Sequence, residues 1–223
     1  MNRREGGDRR VLAARRRAKA TSRMPLVESV AVVRDGRGDD DIVITSMGNA
    51  REWMAMGPLH PRDFVYVPSA MGHATSLGLG LALAQPNRRV IVLMGDGSLL
   101  MNLGSLVTIA SLAPKNLVVV LYDNGVYEIT GSQPTPGTSA ARARGDSVDF
   151  AAIARASGWS SVQRYSALDD WQNNFAKVMK ASGPTLVVLD VEATNRPGPR
   201  SPGKTAQRAP EFMAAIRSVA NGV

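Results

Sequence analysis

From about residue 25 onward, short apolar runs alternate with longer stretches whose apolar residues recur at helical spacing, the pattern of a parallel sheet flanked by helices. Strands are expected at Asp41–Thr45, Phe64–Val67, Val90–Met94, Leu117–Tyr122, Ser161–Arg164 and Leu186–Asp190. Helices are expected at Pro25–Arg34, Ala50–Met56, His73–Ala84, Ser98–Leu112, Asp149–Ser157, Ala167–Ala181 and Glu211–Ala220. Val90–Met94 and Leu117–Leu121 are apolar at successive positions, not at alternate ones, as a strand covered on both faces requires. They are therefore placed at the centre. The expected fold class is α/β, a doubly wound, mainly parallel six-stranded sheet.

Two irregular segments break the pattern: Gly131–Ser147, and Thr194–Pro210 with Pro197, Pro199, Pro202 and Pro210. Segments this long without regular structure are usually functional lids or mobile elements. The organisation read from the sequence is a tail over 1–23, a domain over 24–193, a Pro-rich loop over 194–210 and a terminal helix over 211–223. No internal repeat is found.

Composition narrows this picture. A chain of 223 residues with 44% hydrophobic content fits one well-buried domain. Without cysteine it has no disulfide, thiolate metal site or cysteine nucleophile, which suits a cytoplasmic setting. No apolar run approaches the roughly 20 residues of a membrane span. The net charge of +8 invites a nucleic-acid reading, but residues 1–23 hold nine basic against two acidic residues. That tail carries +7 and leaves +1 on the rest of the chain. Basic and free of aromatics, it reads as a disordered arm. A nucleic-acid-binding or partner-docking arm and a start-site artefact are the alternatives, and it lacks the apolar core of a secretory signal.

The chemistry is concentrated at Val90-Ile91-Val92-Leu93-Met94-Gly95-Asp96-Gly97-Ser98, where an apolar strand runs into an Asp held between two glycines and then into a helix. Glycines let the backbone turn sharply and approach a ligand closely. The following helix directs its N-terminal N–H groups and positive dipole end to the same place, a ready anion site. A carboxylate beside a phosphate is repulsive unless a cation lies between them, and magnesium is the cation that takes a few protein oxygens plus phosphates. Asp123-Asn124-Gly125 follows the next strand, so adjacent parallel strands bring both segments to one edge of the sheet, where open α/β sheets bind ligands. A Gly-Asp-Gly alone is weak evidence. Its spacing from Asn124 makes it specific.

Gly95-Asp96-Gly97-Ser98 followed by Asn124 resembles the diphosphate-binding domain of the thiamin-diphosphate enzymes. By that resemblance Asp96 and Asn124 bind Mg2+ through side chains and Val126 through its carbonyl, with Gly95, Gly97 and Ser98 beside the diphosphate. The segment Ser69-Ala70-Met71-Gly72-His73-Ala74 resembles the one that props the cofactor in its bent conformation. Met71 would be the prop and the Ser69 carbonyl the acceptor for the aminopyrimidine. Thr45-Ser46-Met47-Gly48-Asn49-Ala50-Arg51-Glu52 resembles the loop that donates to the terminal phosphate, with Gly48 and Asn49 as the donors. Two positions depart from the family's usual pattern: Asp123 stands where Asn is common, and Ala50 replaces a Ser. Arg51 and Glu52 read equally well as a structural ion pair.

Within that family, Asp123–Thr135 and Met71–Ala74 look most like the sulfopyruvate and phosphonopyruvate decarboxylases, over roughly residues 25–195. The chain resembles a β subunit, whose partner carries the pyrimidine-binding domain and the Glu that activates the cofactor. The implied enzyme is a thiamin-diphosphate- and Mg2+-dependent decarboxylase of a small anionic 2-oxo acid, working as a cytoplasmic hetero-oligomer. His73 and Glu128 are the catalytic candidates; as ordinary residues they would be a helix cap and an ion-pair partner for an arginine of the 131–147 segment. Arg142 and Arg144 are candidates for an anionic substrate tail, or merely solvated. His60 receives no role. The alternatives are an acetolactate synthase-like carboligase or acyltransferase half, and a non-catalytic cofactor-binding subunit.

Overall fold

The computed structural model describes residues 23–65, 72–136, 148–194 and 203–217. In chain order the elements are α1 (Leu26–Gly36), β1 (Ile42–Thr45), α2 (Met47–Ala55), β2 (Asp63–Phe64), α3 (Ala74–Ala84), β3 (Val90–Gly95), α4 (Asp96–Leu100) and α5 (Gly104–Leu112). They continue with β4 (Leu117–Asp123), β5 (Val126–Tyr127), β6 (Gln133–Pro134), α6 (Phe150–Ala156), β7 (Ser161–Tyr165), α7 (Leu168–Lys180), β8 (Thr185–Asp190) and α8 (Thr205–Arg217). Six strands form one sheet in the order β2-β1-β3-β4-β8-β7, and every pairing in it is parallel. A small antiparallel hairpin, β5-β6, stands apart from it.

The fully apolar strands lie at the centre, as β3 and β4. Alternate residues of each strand go to opposite faces. Ile44, Val92, Met94, Val119, Leu121 and Val188 pack with Leu79, Leu106, Ile109 and Phe150 of α3, α5 and α6. Val43, Ile91, Leu93, Val120, Val187 and Leu189 pack on the other face with Val30, Trp53, Trp171 and Phe175 of α1, α2 and α7. Each fully buried aliphatic side chain contributes about 1.5–3 kcal/mol of transfer free energy, and these two layers hold the domain together. Helix α7 shows how a surface helix is written: Trp171, Phe175 and Val178 are buried at i, i+4 and i+7. Asp169 and Asp170 in its first turn and Lys177 and Lys180 in its last complement the helix dipole.

Four boundaries differ from the sequence expectation, each for a local reason. The helix expected over Ser98–Leu112 is two, α4 and α5, because the chain turns at Met101–Leu103. Asn102 makes that turn, donating its N–H to Leu99 O and accepting from both Ser105 N–H and Ser105 Oγ. The helix expected from Ala50 begins at Met47, which puts Gly48 and Asn49 into its first turn. The strand expected over Phe64–Val67 is only Asp63–Phe64 among the described residues, and Val67 lies outside them.

The fourth concerns the C-terminal helix, expected at Glu211–Ala220 after a Pro-rich loop reaching Pro210. It starts at Thr205 and carries Pro210 inside it. Pro210 denies a hydrogen bond to the carbonyl of Ala206, but both residues are exposed, which leaves that carbonyl open to solvent. Phe212 against Phe64 at 4.9 Å, and Arg208 donating to Val65 O, anchor the helix to the sheet edge.

At the opposite end of the sheet from the C-terminal strand ends, Asp63 gathers three donors: the Arg37 guanidinium, Trp53 Nε1 at 2.9 Å and His60 N–H at 3.0 Å. Beside it, His60 Nδ1 accepts the N–H of Arg62 at 3.1 Å. Burial first, and the Arg37 charge second, hold the His60 pKa below its ordinary 6.5. The native state then binds fewer protons than the unfolded chain, so stability is full above about 6.5 and is lost as pH falls below it. His60→Asn keeps a neutral acceptor for Arg62 and should flatten the dependence of melting temperature on pH between about 5 and 6.5. An unchanged slope would show that His60 does not contribute to it.

Candidate functional site

In this strand order the chain passes from β1 outward to β2 and from β3 outward to β4 on the other side. The C-terminal ends of β1 and β3 therefore diverge, and such a switch point leaves a crevice. A cavity of about 430 Å³ fills it. Most of its lining comes from three segments: Met47, Gly48 and Asn49 at the start of α2; Gly95 to Ser98 at the end of β3; and Asn124 to Thr130 after β4, except for Gly125; Leu26, Met101 and Tyr122 complete it. Gly48, Asn49, Gly95, Asp96, Gly97, Ser98, Asn124, Val126 and Glu128, picked from the sequence, are thus brought to one cavity. Ser69, Met71, Arg142 and Arg144 lie outside the described residues. His73 is exposed at the N-terminal boundary of α3, makes no capping bond there, and is not among the described residues lining the cavity.

Asp96 is the buried charge of the site, 1% exposed. Its Oδ2 accepts from the Thr135 hydroxyl at 2.7 Å, while its Oδ1 is buried and has no hydrogen-bond partner among the described residues. Burial pushes this carboxyl above the ordinary carboxylate range; the Thr135 hydroxyl and, without a hydrogen bond to Oδ1, the nearby N–H groups of Gly97 and Asn124 pull it back. A buried carboxylate oxygen without a donor is costly, so it marks a place where a cation belongs. The other donors of the expected set fit such an ion. Asn124 Oδ1 accepts the Val126 N–H at 2.9 Å and keeps a second lone pair. Val126 and Pro134 form a non-hydrogen-bonded pair of the hairpin, bracketed by the Thr135 N–H to Gly125 O bond, so the Val126 carbonyl points away from β6 and is not used in that pairing. One carboxylate, one amide oxygen and one carbonyl are a partial oxygen set of the kind magnesium takes when phosphates and water complete its octahedron. Among the described residues no cluster of three His, Cys, Asp or Glu offers a full protein cage.

The glycines act differently from one another. Gly97 lies under the Tyr127 ring, where a Cβ would come within 2.5 Å of Cδ1. Gly48 leaves room for the Glu128 carboxylate, which a Cβ would meet at 2.6 Å. Gly95 is extended, with φ −89°, and the nearest heavy atom to an added Cβ is 3.9 Å away. Nothing in the protein demands glycine there. If the glycine serves a ligand's approach, Gly95→Ala should leave stability within about 1 kcal/mol of the parent, or raise it, while weakening diphosphate binding. Equal binding by the two chains, measured by calorimetry, would remove Gly95 from the site.

The sequence reading expected one long helix dipole behind Gly95-Asp96-Gly97-Ser98. That contribution is small, because α4 is only five residues long. The longer helix with its N-terminus at the cavity is α2, which Met47 opens at φ 50°, a left-handed conformation uncommon for such a side chain.

Glu128 is held by its neighbours. Its Oε1 accepts Thr194 N–H at 2.8 Å and its Oε2 lies 3.4 Å from Arg51 Nη2, with the side chain 7% exposed. Arg51 also donates to Thr194 Oγ1 at 2.9 Å and to Glu52 Oε1 at 3.1 Å. The arginine that Glu128 meets is therefore one of α2, and Arg51 with Glu52 is an ion pair. The sequence missed Thr135, whose contact with Asp96 spans 39 residues of chain, and Tyr122, whose buried hydroxyl has no partner among the described residues. It also missed Met101 and Ile129, cavity residues about half-exposed. Only exposed large apolar residues could have signalled the last two, and exposure is not visible in a sequence.

Residues 46–189 match the family described as thiamine pyrophosphate enzyme, C-terminal TPP binding domain. Phosphonopyruvate decarboxylase of Streptomyces viridochromogenes is 39% identical over 180 residues, which cover 80% of this chain and 42% of that protein. Sulfopyruvate decarboxylase subunit beta of Methanothermobacter thermautotrophicus is 40% identical over 158 residues, 70% of this chain and 77% of that subunit. The chain thus spans less than half of the first relative and most of the second. Among solved structures, the thiamine diphosphate-dependent 4-hydroxybenzoylformate decarboxylase of Rhodococcus jostii superimposes with a TM-score of 0.63 at 24% identity, covering 78% of this chain and 34% of that one. That likeness is one of fold. The matched span contains β3, α4 and β4, which carry Asp96 and lead to Asn124. By this match the chain belongs to the thiamine pyrophosphate enzymes, as a C-terminal TPP-binding domain of that family.

Proposed function

We propose that this chain is the cofactor-binding, β-type subunit of a thiamin-diphosphate- and Mg2+-dependent decarboxylase that acts on a small anionic 2-oxo acid of the sulfopyruvate or phosphonopyruvate kind. The observation that carries the reading is the buried, unpartnered Oδ1 of Asp96 beside the Asn124–Val126 turn. The likeness to a decarboxylase subunit beta over most of that subunit's length supports it. With no cysteine, and no helix among the described residues able to cross a membrane, we assign it to the cytoplasm.

When bound, thiamin diphosphate would supply a carbon nucleophile and an electron sink for decarboxylation of a 2-oxo acid. This chain binds and orients it. Asp96, Asn124 and the Val126 carbonyl would hold Mg2+, and the N–H groups of Gly48 and Asn49 in the first turn of α2 would donate to the diphosphate. Glu128 has both oxygens engaged and fixes the start of α2 against the turn after β5, a positioning role and not proton transfer. Met101 and Ile129 give the cavity an apolar, half-exposed rim.

None of the described residues lining the cavity is Lys, Arg or His. A group that recognises an acidic substrate tail is therefore assigned outside this lining; and because Glu128 is held by Thr194 and Arg51, the Glu that activates the cofactor is assigned to a separate pyrimidine-binding subunit. Co-expression with that subunit, followed by CO2 and aldehyde assays on sulfopyruvate, phosphonopyruvate and pyruvate, tests the proposal. Release of CO2 from a sulfo- or phosphono-substituted acid is expected. No CO2 from any of the three would sink the decarboxylase reading, acetolactate formation would favour a carboligase half, and full activity of the chain alone would contradict the split site.

A further inference from the structure

Of residues 131–136, which lead away from the cavity, only Thr135 is buried, at 2% exposure. Gly131, Ser132, Gln133, Pro134 and Pro136 are all exposed. Thr135 makes two hydrogen bonds. Its N–H donates to Gly125 O at 2.9 Å, inside the turn that carries Asn124 and Val126. Its hydroxyl donates to Asp96 Oδ2 at 2.7 Å, at the end of β3. One residue thus ties together the two segments that bear the oxygen donors.

We propose that Thr135 is a positioning residue that sets metal selectivity at this site: by occupying Asp96 Oδ2 it leaves Oδ1 alone to bind the cation. This rests on the reading of Asp96 as a metal ligand. A carboxylate with one oxygen already holding a hydrogen bond binds a cation through the other. Such single-oxygen ligation suits the tight octahedron of Mg2+, whereas Ca2+, larger and flexible in coordination, readily takes both oxygens of a carboxylate. Outer partners of this kind orient the ligand and tune the metal, and their removal typically costs 10–100-fold in metal affinity. The Thr135 hydroxyl therefore favours Mg2+ over Ca2+, and its loss opens Asp96 to bidentate ligation.

The test is titration calorimetry of Mg2+ and of Ca2+ into the full chain, with its partner subunit present and thiamin diphosphate saturating. Thr135→Val keeps the shape and removes the hydroxyl; Mg2+ should bind about 10–100-fold more weakly, with a smaller loss for Ca2+, so the Mg2+:Ca2+ affinity ratio falls. Thr135→Ser should restore both affinity and ratio. Should the Val variant fail to fold, Thr135→Ala, smaller than the parent, makes the same comparison. An unchanged ratio in the hydroxyl-free variant overturns the proposal, as does equal weakening of both ions, which would mean a merely structural role. A Ser variant as impaired as Val overturns it too. If the unsubstituted complex binds thiamin diphosphate but no metal, the metal reading of Asp96 fails, and this inference with it; if the metal binds and only the Thr135 ratio is unmoved, that reading survives.

Discussion

Replacing Asp96 with Asn is expected to reduce Mg2+-dependent cofactor binding and activity by a factor on the order of 10²–10³ while making the metal-free chain more stable. Both effects follow from the same geometry. In the metal-free chain a carboxylate is 1% exposed, one of its oxygens has no donor, and burial already disfavours its charged form. An amide of the same shape can still accept from Thr135 through its oxygen, and it removes the buried charge. A gain of about 0.5–2 kcal/mol is the usual yield of relieving such a site, and in a chain of this size each kcal/mol raises the melting temperature by roughly 2–4 °C. With Mg2+ and thiamin diphosphate present the order should reverse, because binding to the native state stabilises only the chain that binds. Melting curves of both chains with and without ligand decide it. A metal-free Asn chain that melts lower than the parent would mean that Asp96 is held for the fold and not for a cation.

The sequence carried some of this geometry and concealed the rest, and the division follows the range of the interactions. The centre of the sheet was legible because β3 and β4 are covered on both faces and must be apolar at every position. Asp96 and Asn124 could be placed together because a single helical crossover separates two adjacent parallel strands, which fixes their ends side by side. The two-residue extent of β2 was not legible, because Phe64-Val65-Tyr66-Val67 has ordinary strand propensity and pairing with β1 alone decides where it stops. The turn at Asn102 was hidden for a similar reason: Leu99, Leu100 and Leu103 are good helix formers, and only hydrogen bonds at Asn102 show the break. Helix α8 was misjudged from the other direction. Proline reads as a stop in the sequence, but contacts of Phe212 and Ile216 with the core outweigh one missing bond on an exposed face. In the site itself, Thr135 and the partner of Glu128 required contacts across 39 and 77 residues of chain, and no periodicity encodes those.

Gly72→Ala should be among the most damaging single-methyl additions to this domain. Gly72 has φ +87°, where a side chain is strained whatever space surrounds it, at a cost of about 1–2 kcal/mol. Space is also lacking. A Cβ would lie 2.4 Å from the carbonyl oxygen of Ser98 and 2.7 Å from the Cβ of Asn102, and the first of these is backbone that cannot rotate away. Overpacking of this kind costs about 1–3 kcal/mol more, for a combined loss of roughly 2–5 kcal/mol. The displaced atoms belong to α4 and to the turn after it, so relief of the clash moves the short helix that begins at Asp96. Cofactor binding should therefore weaken beyond what lost stability alone explains, a difference visible when binding is measured well below the melting temperature. Gly80→Ala is the control: it lies in α3, nothing approaches its Cβ within 4 Å, and the substitution should stabilise the chain by about 0.5–1 kcal/mol through helix propensity. If Gly72→Ala melts like the parent, the close approach of Gly72 to Ser98 is not part of what holds α4 in place. If it melts far lower but binds cofactor with full affinity when folded, Gly72 supports the fold without positioning Asp96.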